Sequence, residues 1–439
     1  MRRPTLLIIS QVYVPDPASV GQHLHDAAVE ICRRGYDTRV LTSARGYDEP
    51  GVRFPPRERV DGVEVIRLPF SSFGKKSILV RLAGQICFLI QALLRGLFTP
   101  KLGAILVSTS PPMCSAVALI ISTIRRVPLV YWVMDINPDQ AIALGVVNAK
   151  SPLAWLFDVL NRMVLARAHR VLTLDRFMAR RLMRKREIAD RLEVFPPWPH
   201  EEHLDVIPHV ANCFRRKHDL DGKFVVMYSG NHSAANPIST VIEAAEKMQD
   251  RAEIVFMFVG GGTCKKEVSD AITRGANNIV SLPYQPLEEL KYSLSAADLH
   301  VVTLGNSSVG IVHPCKVYGA LAVARPILLI GPKPSHVSDI LQRCDVGRQV
   351  NHGDVHGTIE AITALAGMTA DKRAAMGKRG QELIRNELSK QALCTRLGDL
   401  VEAALEGQPR LYAPTVGPAP PQTERTPPSA ADDARRKAA

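Results

Sequence analysis

The sequence predicts an α/β protein with two Rossmann-like, doubly wound domains facing each other across a cleft. Three observations carry that expectation. Short apolar runs of strand character alternate with helical patterns, the alternation starts afresh near residue 224, and 439 residues suit two domains rather than one.

The first series of runs is TLLIIS (5–10), TRVLTS (38–43), VEVIRL (63–68), AILVST (104–109), PLVYWVM (128–134) and RVLTL (170–174). The second is FVVMYSG (224–230), EIVFMFVGGG (253–262), NIVSLPY (278–284), DLHVVTL (298–304) and RPILLIG (325–331). Continuous apolar runs separated by helices imply parallel strands covered on both faces. The proline-rich stretch FPPWPHEEHLDVIPH (195–209) lies between the two series. The resulting division is a first domain over 1–200, a linker over 201–215, a second domain over 216–385, a C-terminal helix over 386–407 and a tail over 408–439. A helical pattern runs through 372–406, and seven prolines in the last 32 residues mark the tail as disordered.

Hydrophobic residues make up 46% of the chain and charged residues 22%, a globular composition. The eight cysteines form no CxxC or Cys/His cluster, so neither a zinc site nor a disulfide framework is expected, and a reducing cytoplasm is the simple reading. MRRPTLLIIS runs into Pro15 and Pro17 where an export signal would continue, and it reads as a buried first strand. No cofactor is expected.

The net charge of +12 lies wholly in residues 1–200, which hold 28 Lys/Arg against 16 Asp/Glu; the remainder holds 27 of each. A one-sided basic surface attracts anionic lipid, a phosphorylated substrate or nucleic acid. Without an aromatic RNA-binding signature or zinc-finger spacing, no nucleic-acid partner is expected. KKSILVRLAGQICFLIQALLRGLF (75–98) is interrupted by Arg81, Gln85, Gln91 and Arg95, and so falls short of a span of ~20 apolar residues. It suits either an interfacial helix or a helix buried against the sheet with charged ends. RFMARRLMRKRE (176–187) places six basic residues on a helix, either as a solvated face or as a second point of peripheral membrane contact.

Each series opens with a strand-end loop suited to a ligand. The first passes through Ser19 and Gly21 into an amphipathic helix, and the second sets Gly230, Asn231 and His232 after its first strand. Helix N-termini beyond strand ends favour phosphates or sugars, while the absence of GxGxxG disfavours a dinucleotide. Equivalent loops on two domains imply a cleft with a nucleotide donor on one side and an acceptor on the other.

At this level of detail the chain resembles the family 4 glycosyltransferases of the GT-B fold, in the branch that builds bacterial surface polysaccharides. The resemblance rests on PDPASVGQHLHDAAVEICRRGYDTRVLTS, VSTSPPMCSAVAL, VYWVMDINPD, VVMYSGNHS, VGGGTCKKEV, SLPYQPLEELKYSLSAADLHVV and HPCKVYGALAVARPIL, in that order over about residues 5–405. It implies transfer of a sugar from a nucleotide-diphosphate donor to a lipid-linked or polysaccharide acceptor, independent of metal and with retention. Asp135 matches the residue that faces the transferred sugar, with Asp139 a weaker neighbour. On the residues alone, Asp135 also suits an Asx cap before Pro138. Gly21 matches the loop near the donor phosphate and acceptor, Tyr284 the loop beside the nucleobase, and Lys316 of HPCK, next to His313, the diphosphate ligand.

Two departures stand out. The usual Arg/Lys clamp reads Asn231, His232 and Asn236, and the paired glutamates of the family read Ile311 and Gly319, with no Asp or Glu anywhere from 299 to 338. The departures leave room for a degenerate GT-B binding or partner subunit, and a sugar-nucleotide epimerase or hydrolase is a further reading of the same architecture.

Overall fold

The computed structural model describes residues 3–16, 18–46, 51–71, 78–199 and 205–408, so the tail beyond Gln408 and part of the linker lie outside the described residues. Two sheets form.

The first contains β1 (Thr5–Ile9), β2 (Asp37–Ser43), β3 (Arg57–Val60), β4 (Val63–Leu68), β5 (Leu102–Val107), β6 (Leu129–Val133), β7 (Arg170–Thr173) and β8 (Leu192–Val194), in the order β3-β4-β2-β1-β5-β6-β7-β8. The second contains β9 (Phe224–Ser229), β10 (Ile254–Val259), β11 (Ile279–Leu282), β12 (Leu299–Thr303), β13 (Ile327–Ile330) and β14 (Gly347–Val350), in the order β11-β10-β9-β12-β13-β14. All pairings are parallel except β3 against β4.

The strand order explains where a ligand would sit. β1 lies between β2 and β5, so the connections leaving its two sides run in opposite directions; β9 occupies the same place between β10 and β12. A crevice opens beyond the carboxyl end of such a strand. The loop after β1 leads to Gly21, and the loop after β9 begins at Gly230.

Every residue of β1 is buried, because helices cover both faces of the sheet. The helix Ser19–Arg33 buries Gly21, His23, Leu24, Ala27, Ala28 and Ile31, a stripe at helical spacing that packs on the sheet. The helix Ile78–Leu97 differs: Phe88 and Ala92 face the core while Leu82, Ile86, Ile90 and Leu94 stay exposed, so both of its faces are apolar. Among the described residues no helix is long and apolar enough to cross a membrane.

The helical pattern over 372–406 is two helices, Ala370–Glu387 and Lys390–Leu405. They part at Ser389, whose extended backbone and hydroxyl cap the second helix at the Ala392 N–H, 3.3 Å away. The break turns the chain back to the first domain, where Leu393, Leu397 and Val401 join its core. Arg34 holds the returning helix through Asp399 (2.7 Å), Glu402 (2.8 Å) and the Thr395 carbonyl (2.8 Å).

Candidate functional site

A cavity of about 360 Å³ lies between the two domains. Ser19, His23 and Trp198 line it from the first domain, and Gly230, Tyr284 and Lys316 from the second. Gly319 also borders it, and among the described residues no Asp or Glu does.

The helix Lys316–Ala322 begins after His313-Pro314 and buries Val317, Tyr318, Ala320 and Leu321 in a cluster with Val302 of β12 and Ile327 and Leu329 of β13, which anchors its first turn. Lys316 therefore projects toward the loop after β9. Its ammonium lies 3.9 Å from the centroid of the Tyr228 ring, donates to the Tyr228 hydroxyl and reaches the Asn231 carbonyl at 3.4 Å. It pairs with no carboxylate among the described residues. Burial without a counter-charge pushes the Lys316 pKa down to about 7. A half-buried cation with two neutral partners is prepared for an anion.

The loop over Lys316 is held by close backbone approach. Gly230 has φ +126°, and a Cβ there would lie 3.5 Å from Lys316 Cε. At Gly260, φ is +129° and a Cβ would come within 2.2 Å of the Gly230 carbonyl oxygen, so any side chain there would displace the loop. The Tyr228 hydroxyl donates to the Asn231 carbonyl at 2.9 Å.

The remaining candidates divide between this cavity and other places. Tyr284 stands at its mouth, largely exposed, with its hydroxyl 3.4 Å from the Gly261 carbonyl. His232 turns away from the cavity and is buried, with its backbone N–H donating to the Gly261 carbonyl at 2.8 Å. Burial, with Lys265 adding to it, pushes the His232 imidazole down to about 4. Asn236, at a position of the expected basic clamp, is also buried, donating to Ser233 Oγ at 3.0 Å. Gly21 does not line the cavity. It lets the helix 19–33 approach the preceding loop, since a Cβ there would lie 3.0 Å from Tyr13 Cα. His313 is buried and bonds Asp175 of the first domain rather than facing the cavity.

Asp135 follows the carboxyl end of β6 and does not border the cavity either. Its backbone N–H donates to Thr109 Oγ1 at 3.2 Å, but its carboxylate makes no hydrogen bond or ion pair among the described residues, so it is not an Asx cap. Burial raises its pKa to about 6. Asp139 is committed elsewhere, to Lys185 at 2.6 Å and Arg181 at 3.1 Å.

Sequence reasoning missed His23, Trp198 and Tyr228. His23 Nδ1 meets the Ser19 carbonyl at 2.7 Å and Nε2 the Trp198 carbonyl at 2.9 Å, which ties the start of the first helix to the residues leaving the first domain. Its position on the buried stripe of the helix was visible in the sequence, but its partner, 175 residues away, was not.

Residues 19–198 match the family described as "Glycosyl transferase 4-like domain". The putative colanic acid biosynthesis glycosyl transferase WcaI of Escherichia coli K12 is 24% identical over 338 residues, covering 72% of this chain and 81% of that protein. Sucrose-phosphate synthase from Thermosynechococcus elongatus superposes with a TM-score of 0.71 at 14% identity, over 92% of this chain and all of that one. Anabaena HepE, solved in complex with UDP and glucose, gives 0.68 at 16% identity over 91% of this chain and 100% of its own.

Replacing Lys316 by Ala is expected to weaken nucleoside diphosphate binding at least about tenfold, since a charge-assisted contact of about 1.5–3 kcal/mol is lost. Isothermal titration with a panel of nucleoside diphosphates checks this, and an unchanged affinity would remove Lys316 from the site.

Proposed function

We propose that the chain is a family 4 glycosyltransferase of the GT-B fold and that it moves a hexosyl group from a nucleotide-diphosphate sugar to a lipid-linked acceptor in the assembly of a cell-surface glycan. The observation that carries this reading is the cavity between the domains, which no Asp or Glu among the described residues lines, with the ammonium of Lys316 on its wall. Such a wall suits a diphosphate. HepE, which has the same fold and is also solved in complex with UDP-glucose, supports it.

In this reading the bond from the sugar's anomeric carbon to the diphosphate breaks, and a bond from that carbon to the acceptor oxygen forms. Lys316 and backbone N–H groups take up the charge developing on the departing diphosphate, in keeping with the metal-independent, retaining chemistry expected of the family. Asp135, just past the carboxyl end of β6, receives or orients the acceptor's proton, and the absence of any partner for its carboxylate among the described residues supports that role. The carboxylate must be ionised to do so, so transfer should rise as pH rises through about 6 and fall away below it. Asp135→Asn should lower kcat about a hundredfold or more with little change in donor affinity; full activity in that variant would sink the assignment.

The family's ribose-binding acid is replaced by Gly319, so the nucleoside is held without a carboxylate from the helix 316–322. Gly319→Glu should therefore tighten donor binding several-fold, by about 1 kcal/mol, as read by the same titration. That departure also favours a second reading, a GT-B subunit that binds sugar nucleotide without turning it over. A panel of sugar nucleotides, assayed for nucleotide release with and without lipid extract, separates the readings. Release that requires the extract supports transfer. Release without it indicates a hydrolase, and binding without release indicates an inert subunit.

A lipid-linked acceptor requires access to a membrane surface, and the first domain offers one. Leu82, Ile86, Ile90 and Leu94 form a stripe at four-residue spacing, continued by the 81% exposed Phe98. The helix Cys114–Arg125 packs beside it and exposes Ile120 and Ile124. Exposed Arg95, Lys101 and Arg126 stand at the same helix ends, which suits an anionic bilayer. The basic run 176–187 contributes less than its sequence suggests, because Arg176, Arg181 and Lys185 pair with internal carboxylates. A double Ile90→Asp and Leu94→Asp variant should lose about a hundredfold in affinity for phosphatidylglycerol-containing vesicles. Equal sedimentation of variant and wild type would contradict the contact.

A further inference from the structure

Away from the donor cavity, the two domains meet at a buried cluster drawn from three distant parts of the chain. Asp175 caps the helix Arg176–Lys185: its Oδ1 accepts from the Phe177 N–H at 2.8 Å and the Met178 N–H at 2.9 Å. That fixes the carboxylate and leaves Oδ2 facing the second domain, 2.8 Å from His313 Nδ1. His313 Nε2 lies 2.7 Å from the Tyr318 hydroxyl, which in turn lies 3.1 Å from His336 Nε2. The two imidazole centroids are 4.2 Å apart.

One ligating atom each from Asp175, His313 and His336 lies within 4.8 Å of the other two. Asp175 and His313 are buried, while His336 is half-buried on the wall of a second cavity of about 350 Å³ that also reaches Asp175. That cavity gives an ion a route to the cluster, and a water there can supply a fourth ligand. The neighbouring Arg176 is neutralised by a two-pronged pair with Asp339 at 2.5 and 2.8 Å.

We propose that Asp175, His313 and His336 form a binding site for a zinc-class divalent cation that pins the first domain to the second. Two imidazoles and a carboxylate are the donor set such ions favour. Ligand atoms around a tetrahedral ion with bonds of about 2.0–2.1 Å stand roughly 3.3 Å apart, so the Asp175 to His313 spacing opens by only about half an ångström. The larger movement falls to His336, whose ring borders open space. When the ion takes His313 Nδ1, the other nitrogen carries the proton and donates to the Tyr318 hydroxyl, the kind of second partner that orients a ligating imidazole.

The site belongs to the seam. Asp175 comes from the first domain and both histidines from the second, so an occupied site resists their separation. The backbone already meets closely there: a Cβ on Gly310 would lie 2.7 Å from the Phe177 carbonyl oxygen. Tyr318 borders the donor cavity as well, so the ion's effect extends to donor binding.

The test is a titration of the metal-free full-length chain with Co²⁺, followed by visible absorption, with thermal unfolding measured in the presence and absence of Zn²⁺. The expected result is one saturable equivalent, d–d bands without thiolate charge transfer, and a Tm raised by Zn²⁺. His336→Gln keeps a hydrogen-bonding group on the cavity wall and should fold, yet it should bind at least about tenfold more weakly and lose the Zn²⁺-dependent rise. His313→Gln should behave likewise. No saturable binding, equal binding in the His336→Gln chain, or a thiolate charge-transfer band that assigns the ion to cysteine would each overturn the proposal. None of these readouts depends on sugar transfer, so the outcome stands apart from the functional reading.

Discussion

A lysine ammonium resting against a tyrosine ring, with no carboxylate beside it among the described residues, is the interaction on which the site depends. Keeping Lys316 there costs desolvation that only weak partners offset, the Tyr228 ring and hydroxyl and the Asn231 carbonyl. The surrounding backbone is arranged to maintain that position. Gly260 lets one loop press on another, Gly230 leaves room over the lysine stem, and the buried side chains of the helix 316–322 fix its first turn. The arrangement is suited to the anionic donor proposed above.

The same economy of charge extends across the interface. The first domain carries the whole net positive charge, yet much of the basic run 176–187 is consumed by Asp139, Asp158 and Asp339. These pairs fasten elements together rather than attracting ligands. Positive charge at the ends of the helices 78–97 and 114–125 stands where apolar side chains are also exposed, which is the basis of the membrane contact proposed above. The chain's return to the first domain through the helix 390–405 adds a further tie across the molecule.

Much of this architecture was legible in the sequence because central parallel strands are buried on both faces and read as uninterrupted apolar runs. The strands that escaped were β3 (RERV), β8 (LEV) and β14 (GRQV): edge strands that are short or partly exposed, so burial imposes no apolar pattern on them. The break at Ser389 was hidden for a related reason, since the helical pattern continues on both sides of a single capping serine. Of the site, the residues that follow directly from strand-end loops and helix starts, Gly230, Lys316 and Gly319, could be found by position. His23 with Trp198 could not, because 175 residues separate them and only the folding of the first domain brings them together, and Asp175 with His313 and His336 could not, because that group meets only after the two domains pack.

Proton uptake on ligand binding tests the central claim most directly. If Lys316 is held near a pKa of about 7 when the cavity is empty, a bound diphosphate must raise that value and draw a proton from solution. Affinity is then greatest below about pH 7 and weakens as pH rises toward the bound-state pKa. Calorimetric titration at pH 8 with the best-binding nucleoside diphosphate, repeated in buffers of different ionisation enthalpy, should give an uptake of about 0.9 proton per site. Lys316→Arg, charged throughout, should give almost none. Zero uptake in the wild type, or the same uptake in the arginine variant, would contradict the account.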